Sequence, residues 1–310
     1  NLFSNEIPTI VIAPSKKPQS LSTVGTSVVV LDEKFLEDTG EFFLGDVLAS
    51  SSTSANFFQT GGHGATSAIQ LRGLPKRYST VYIDGVKMSD PSSVSGDFDF
   101  NHILTSQLSR VEILKGNQSS VYGSGAIGGT INITTKRGQS SNEKALNFKN
   151  GSHGTQNLSL SYSGADEKQN YYFGLERFHT DGVSQMLHND ENDRYRNNSL
   201  VANYKRQLSN KFSFESNLRF TDTYLQYDKE VNTATATHNE EEDSIQSSAN
   251  ISLLYEPSSK FQNKITFANT YIKRIYGAAP GSGNTIKDNY YGDRNAILYT
   301  GNYNFNLDNS

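Results

Sequence analysis

The chain has 310 residues with a formal net charge of −4, and only 35% of them are hydrophobic. It contains no cysteine, which excludes disulfide frameworks and thiolate metal sites, and its charge gives no electrostatic case for binding nucleic acid. No apolar run reaches about 18 residues, so we expect no transmembrane helix. Tyrosine and phenylalanine, at 17 residues each, favour β-structure with one polar face.

A short β-rich segment lies near the N-terminus, between Pro8 and Pro14. Because proline lacks a backbone N–H and fixes φ, the strand cannot extend into a sheet of its own. One interpretation is a mobile strand that adds to the sheet edge of another protein through main-chain hydrogen bonds. The alternative is an ordinary first strand that pairs within its own domain. The segment consists of Thr9, Ile10, Val11, Ile12 and Ala13.

Residues 24–58 predict a strand, short helical pieces and an extended segment. The strand is a buried type, and either Asp32 or Thr39 is a candidate helix cap after it. A glycine-rich loop at 61–64 contains His63 and precedes another strand.

The stretch 78–86 predicts a strand that runs into a turn at Asp84 and Gly85, which is a strong hairpin signal. This position explains Asp84 structurally, and no Ser/His/Asp set or carboxylate pair recurs around it, so we predict no enzymatic activity. A polar loop at 88–99 follows.

The stretch 110–133 combines two strands with a run of glycines. Arg110 and Glu112 alternate with apolar residues, so they share one strand face and can pair there. The glycines indicate positive φ or a close backbone approach. A phosphate-binding loop is disfavoured because a strand follows and no Lys-Ser/Thr ends the run; on this stretch alone, a glycine-rich hairpin of any β protein remains an alternative.

After a polar linker at 136–141, apolar and polar residues alternate. In residues 212–220, Phe212 and Phe220 fall on one face, and Ser213 and Arg219 fall on the other. Such alternation is typical of membrane β-barrel strands, although a soluble sandwich alternates too.

The connections distinguish these two folds because they alternate in length. Tight turns at 164–169, 208–210 and 256–259 separate long polar loops at roughly 181–196, 228–243 and 277–292. Short turns on one rim and long loops on the other favour a membrane barrel, with about eight strands in this chain.

Four ordered motifs within residues 7–138 resemble the plug domain of TonB-dependent outer-membrane receptors. They are the N-terminal TIVIA, IQLRG at 69–73, VYIDGV at 81–86, and the stretch 110–133. The sequence of these motifs most resembles that of the vitamin B12 (cobalamin) transporter branch, notably in GGHGATSAIQLRG, IDGV and VSG. The residues that match the plug motif are Arg72, Gly73, Asp84, Gly85, Arg110, Glu112, Gly116, Tyr122, Gly123, Gly128 and Gly129.

This resemblance implies an α+β plug domain followed by antiparallel transmembrane β-barrel strands in the bacterial outer membrane. The expected division is an N-terminal segment (1–20), the plug (21–138) and barrel strands (139–310). Plugged barrels need about 22 strands, so we expect an incomplete barrel from a truncated receptor. The absence of a signal peptide at Asn1 fits an already processed chain.

The resemblance also implies two kinds of binding site. The N-terminal segment would be the TonB box, which the energy-transducing protein TonB recruits, and two apical plug loops would face the substrate. His63 is either a ligand contact or a solvated loop histidine. The candidate substrate-binding residues are His63, Thr66, Ser67, Val94 and Ser95.

Acidic residues in the predicted long loops offer hard oxygen ligands, which suit calcium. By resemblance to cobalamin transporters, the candidate ligands are Asp190, Asp193, Asp228 and Asp243. The alternative is that these loops are solvated and bind nothing specific. No cofactor is required.

The predicted function is TonB-dependent active uptake of a scarce, bulky nutrient, with a corrinoid such as cobalamin as first choice. With no nucleotide site in the sequence, the energy must come from TonB. One alternative is a ferric siderophore or haem receptor of the same architecture. Another is a small structural or adhesive eight-stranded barrel in the outer membrane.

Overall fold

The structure is a computed structural model that describes residues 10–12, 19–51, 55–184, 192–228, 239–278 and 287–303. The chain divides into two compact units. Unit 1 comprises residues 1–58, 67–89 and 97–135, and unit 2 comprises residues 59–66, 90–96 and 136–310. Two short loops therefore belong to unit 2, although the chain on either side of each belongs to unit 1.

The first part of the chain contains short strands, three short α-helices and three single 3-10 turns, at Leu21–Thr23, Lys76–Tyr78 and Thr105–Gln107. In chain order the strands and α-helices are β1 (Ile10–Val11), β2 (Gln19–Ser20), β3 (Ser27–Asp32), α1 (Glu33–Asp38), α2 (Leu44–Ser50), β4 (Ala55–Gln59), β5 (Ser67–Leu71), β6 (Ser79–Ile83), β7 (Val86–Lys87), β8 (Leu108–Lys115), α3 (Ser119–Tyr122) and β9 (Gly129–Thr135).

The predicted helix cap at Asp32 is confirmed. The backbone N–H of Phe35 donates to Asp32 Oδ1 at 2.8 Å, which satisfies one of the free donors at the start of α1. Thr39 instead follows the last residue of α1, and α2 begins at Leu44 without a side-chain cap.

Five strands form the central sheet of unit 1 in the order β3-β8-β9-β6-β7. β6 and β9 run parallel, and the other neighbours are antiparallel. The sheet buries Val111, Ile113 and Ile131 completely. The predicted hairpin joins β6 to β7, with positive φ at both Asp84 (48°) and Gly85 (80°), as a two-residue turn of this kind requires.

Unit 2 contains eight antiparallel strands, each paired with the next along the chain. They are β10 (Glu143–Asn150), β11 (Gln156–Ala165), β12 (Gln169–Thr180), β13 (Tyr195–Gln207), β14 (Phe212–Asp228), β15 (Asn239–Ser258), β16 (Phe261–Ala278) and β17 (Lys287–Tyr303). Among the described strands, β10 and β17 are each paired on one side only. The sheet is therefore an incomplete barrel and does not match the closed eight-stranded barrel considered above.

The predicted alternation of faces is confirmed in β14. Phe212 and Phe220 each expose 39% of their surface, whereas Ser213 and Arg219 expose 4%. Large hydrophobic side chains are also exposed on β11, β12 and β15 to β17, among them Leu160, Phe173, Ile251, Phe267 and Tyr299. The sheet thus has one apolar, exposed face and one polar, mostly buried face.

The strands of unit 2 are longer at one end than the sequence predicted. Residues 239–243 and 287–292, assigned above to loops, belong to β15 and β17. Their backbone pairing continues although the apolar alternation has ended, so hydrophobicity gave no signal there. No helix within the described ranges is long and apolar enough to cross a membrane.

Candidate functional site

The N-terminal strand β1 is held by an ion pair on β8. Arg110 Nε lies 2.7 Å from Glu112 Oε1, as the shared strand face predicted, and Glu112 is only 3% exposed. The backbone N–H of Ile12 donates to both carboxylate oxygens, at 3.2 and 3.1 Å, and Arg110 Nη2 donates to the carbonyl of Ile10. The pair therefore binds one main-chain donor and one acceptor of the segment.

Ile10 and Val11 form a strand that pairs within unit 1, as in the second of the two arrangements considered above. Ile10 and Val11 pair with β2, and Val11 is completely buried while Ile10 and Ile12 are exposed. A two-stranded ribbon is marginally stable by itself, so this docking depends on the contacts to Arg110 and Glu112. Thr9 and Ala13 lie outside the described residues.

The glycine-rich stretch meets both expectations for its backbone. Gly116 has φ of 104°, and the guanidinium of Arg72 lies 3.3 Å from the position that a Cβ would occupy. A Cβ at Gly129 would clash with the carbonyl oxygen of Leu114 on the neighbouring strand. Between the two strands the chain forms the single helical turn α3, where the sequence predicted only a turn.

Two other motif residues stabilise the same region. The Asp84 carboxylate accepts hydrogen bonds from the backbone N–H and the hydroxyl of Thr135, at 3.1 and 2.7 Å. The ring of Tyr122 packs on that of Tyr82 with centroids 5.0 Å apart, and its hydroxyl donates to Asn132 Oδ1 at 3.3 Å. These contacts tie the hairpin and α3 to β9.

The loop at 59–66 is anchored to aromatic side chains of unit 2. The His63 ring meets Phe178 edge-on, with centroids 5.3 Å apart, and Phe178 lies 6.0 Å from Tyr195. Burial lowers the pKa of His63, so its neutral form is favoured. Gly64 has φ of 87°, and a Cβ there would clash with the Tyr195 ring. His63 is therefore partly buried against an aromatic ring, and its role in binding stays a prediction.

The loop at 90–96 is anchored by a second ion pair. Asp90 Oδ2 lies 2.7 Å from Arg274 Nη2, which also donates to Ser92 Oγ at 3.0 Å. Asp90 Oδ1 accepts from the backbone N–H of Ser92 at 2.8 Å, and the Asp90 N–H donates to the Gly96 carbonyl at 3.2 Å. The turn presents Val94 fully exposed.

The remaining predicted substrate residues differ in accessibility. Thr66 and Ser95 are exposed. Ser67 is 1% exposed, its hydroxyl donates to Asp99, and its oxygen accepts from the Phe100 N–H at 2.9 Å. We therefore withdraw Ser67 from the candidate substrate surface, since its polar atoms already stabilise unit 1.

The predicted calcium ligands are not assembled in the part of the chain that the structure describes. No group of three or more His, Cys, Asp or Glu side chains there could hold a metal ion. Asp228 and Asp243 lie in β14 and β15 rather than in loops, and Asp193 is buried. Both Asp228 carboxylate oxygens are buried and lack a partner in those ranges. Asp190 lies outside the described residues, so the described acids alone do not form a calcium site.

Sequence reasoning missed the residues that fix the two loops. Phe178 and Arg274 lie on the polar face of unit 2, where an isolated aromatic or basic residue carries no distinctive pattern. The Asp90-Pro91-Ser92 sequence is a turn signal, and it could have identified the constrained turn although not its partner.

Comparison with known proteins gives one family match and several relatives. Residues 20–130 match the family model described as the TonB-dependent receptor plug domain. The chain is similar to the vitamin B12 transporter BtuB of Vibrio vulnificus, with 28% identity over 234 residues, covering 71% of this chain and 36% of that protein. The BtuB of Vibrio cholerae is 27% identical over 240 residues, covering 76% and 39%. The chain thus spans little more than a third of these relatives' length.

Among solved structures, the fold is similar to that of BauA, the ferric preacinetobactin receptor from Acinetobacter baumannii. The TM-score is 0.76 at 14% identity, and the match covers 96% of this chain and 47% of that one. At this identity the likeness concerns the fold: a small mixed domain followed by long antiparallel strands.

Proposed function

We propose that this chain is part of a TonB-dependent receptor that takes up a bulky nutrient, a corrinoid such as cobalamin; the plug-domain match over residues 20–130 and the similarity to BtuB support this. Substrate would contact the loops at 59–66 and 90–96. Its binding would favour release of residues 10–12, which TonB would then capture as an added strand. The chain's own residues position the ligand and retain or release the segment, and TonB supplies the energy.

The observation that carries this proposal is the docking of β1 on Arg110 and Glu112. The contacts are main-chain hydrogen bonds to two charged side chains, together with burial of Val11. Backbone bonding of this kind is what a strand of another protein would replace in β-augmentation. Main-chain hydrogen bonds of this kind can be exchanged for those of another strand, which suits reversible release.

The choice of a corrinoid rests on the two Vibrio relatives and on the character of the loops. Val94 offers an exposed apolar contact on a turn fixed by the Asp90–Arg274 ion pair. His63, favoured as neutral, adds a polar group without a charge. An apolar contact and neutral hydrogen-bonding groups suit a large, weakly charged ligand better than a polyanionic iron chelate.

Two binding measurements test the proposal. We expect the purified protein to bind cyanocobalamin, with weaker binding in Val94→Asp and little change in Val94→Ile. Binding of a ferric siderophore or haem, with cyanocobalamin at background, would replace the corrinoid by that ligand class. Failure of all three with a folded protein would contradict uptake of these nutrients.

The TonB step is tested separately, with the periplasmic domain of TonB as the probe. Ile10→Pro removes a backbone N–H that an added strand would use, so we expect it to abolish cyanocobalamin-dependent capture. Ile10→Ala keeps that N–H and serves as the matched control. Equal capture of both variants would show that the segment is not the TonB site.

Calcium is a separate part of this proposal. Asp190, Asp193, Asp228 and Asp243 would have to be joined by groups beyond the described ranges. Titration with calcium alone, followed by calorimetry on the native protein and on Asp228→Asn, tests this. Absence of heat at millimolar calcium would reject the site.

A further inference from the structure

A file of small, uncharged polar side chains runs along the polar face of β15. Its members occupy every second position of the strand, as one face of a strand requires, and each is 4% exposed or less. We infer that this file, the β15 file, is the wall along which the substrate moves after it leaves the two substrate loops. The inference rests on the proposed function, in which TonB supplies the energy for passage. The members are Ser244, Gln246, Ser248, Asn250 and Ser252.

Two members of the β15 file carry buried polar atoms that no residue in the described ranges satisfies. Ser244 Oγ and Gln246 Oε1 have no hydrogen-bond partner there, although the two side chains are only 2% and 4% exposed. Buried polar groups in folded proteins are nearly always hydrogen-bonded, so each exception needs an explanation. Two such atoms at successive positions of one face indicate groups that are available to a passing ligand.

The β15 file begins beside the substrate loop at 90–96. Ser244 is the direct cross-strand partner of Arg274. The guanidinium of Arg274 in turn holds the loop, because its Nη2 lies 2.7 Å from Asp90 Oδ2. A ligand that leaves this loop along β15 therefore meets Ser244 first.

The β15 file ends beside a polar cavity of about 190 Å³ near the short-turn end of the sheet. Asn250 pairs directly with Asn217, and Ser252 pairs with Glu215; both partners line the cavity. Asn170 also lines it, and its buried Oδ1 has no partner among the described residues. The file thus connects a substrate loop with a polar space near the other end of the strand.

The length and chemistry of the β15 file suit movement rather than tight binding. Ser244 and Ser252 are eight residues apart, which is roughly 19 Å along the membrane normal at about 3.3 Å per residue and a tilt near 45°. Successive members are about 6.6 Å apart, so a large ligand with several amide groups, such as a corrinoid, contacts the next member before it leaves the last. Uncharged groups form weaker hydrogen bonds than charged ones, and conduction requires sites that bind weakly and in series.

The charged residues beside the β15 file are paired or buried. Glu215 Oε2 lies 3.0 Å from Lys264 Nζ, and Arg274 pairs with Asp90. Arg219, opposite Ser248, is only 4% exposed. The groups that the file offers to a ligand are therefore neutral.

The test compares binding and uptake of radiolabelled cyanocobalamin in cells that carry the receptor. Ser244→Ala/Gln246→Met removes the two unsatisfied atoms and retains most of the side-chain volume, and neither atom has a described partner to lose. We expect the affinity to stay within about twofold of the parent's and the uptake rate to fall about tenfold or more, since losing about two neutral hydrogen bonds suffices for a tenfold change in rate. Ser244→Ala/Gln246→Asn keeps an amide and should recover part of the rate.

Ser161→Ala/Ser163→Ala is the matched control, because it removes two hydroxyls from the polar face of β11 in the same sheet. Slower uptake with unchanged affinity in the β15 variant, and parent-like uptake in the control, supports the inference. Parent-like uptake in the β15 variant, or an equal loss in the control, would overturn it. A loss of affinity as large as the loss of rate would place the file in the binding site and overturn the inference as well. A folded parent that binds no cyanocobalamin would contradict the proposed function, and the inference with it, before any variant is compared.

Discussion

Glu112→Gln is the change that most directly tests how the N-terminal strand is retained. The variant keeps the shape of the side chain but removes the charge that pairs with Arg110 at 2.7 Å and receives the Ile12 N–H. A hydrogen bond to a charged group contributes about 1.5–3 kcal/mol. Losing about 2 kcal/mol would raise the ratio of undocked to docked segment roughly 30-fold.

Electron paramagnetic resonance of a nitroxide label on the segment measures this ratio. The label can be placed at one introduced cysteine, because the chain has no cysteine of its own. A nitroxide at Ile12→Cys sits on a side chain that is already 50% exposed, so the label itself does not disturb the buried Val11. We expect a mostly immobile spectrum in the parent protein and a large mobile fraction after Glu112→Gln.

Glu37→Gln, at an exposed position of α1, supplies the control, because it removes a carboxylate from the same unit and leaves Arg110 and Glu112 unchanged. Its spectrum should match that of the parent. If Glu112→Gln also leaves the spectrum unchanged, the ion pair does not retain the strand, and the reasoning about release fails.

Three further predictions concern the two units. Gly129→Ala should destabilise unit 1, because its Cβ would clash with the Leu114 carbonyl, and the loss is measured as a lower denaturant midpoint. Burial raises the pKa of Asp46 to about 6, so the folded state holds this proton more tightly than the unfolded state and stability falls as pH rises from about 4 to about 6. Asp46→Asn should therefore melt at a higher temperature than the parent at pH 8. Melting temperatures that depend on pH identically in both proteins would contradict this. Arg274→Gln removes the cation that pairs with Asp90 and should weaken cyanocobalamin binding. Arg274→Lys keeps a positive charge and should retain part of the affinity. Equal affinity of the two variants would show that this ion pair does not contribute to binding.

Local chemistry allowed much of unit 1 to be predicted. The Asp84-Gly85 turn and the pairing of Arg110 with Glu112 each depend on residues close together in sequence. In unit 2, the period of two identified which face of β14 is apolar. These features require only the geometry of a strand or a tight turn.

The contacts that fix the substrate loops could not be predicted in this way. Arg274 and Ser92 are separated by 182 positions in sequence, and no local pattern links them. The sequence predicts loops at the outer ends of β15 and β17 because polar residues dominate there, in NEEED at 239–243 and KDNYYG at 287–292. Main-chain pairing continues without that hydrophobic signal, as between Glu242 and Tyr276.

The length of β15 has a consequence for how the protein meets its surroundings. Its 20 residues span roughly 45 Å along the membrane normal at a tilt near 45°, while the apolar band needs only about 25 Å. The turn between Ser258 and Phe261 leaves little excess at one end, so about 20 Å of paired strand stands above the bilayer on the other. The sheet thus extends beyond the apolar band as a paired, rigid structure. Substitutions at its outer end can change the surface presented to the medium without altering the lipid-facing residues.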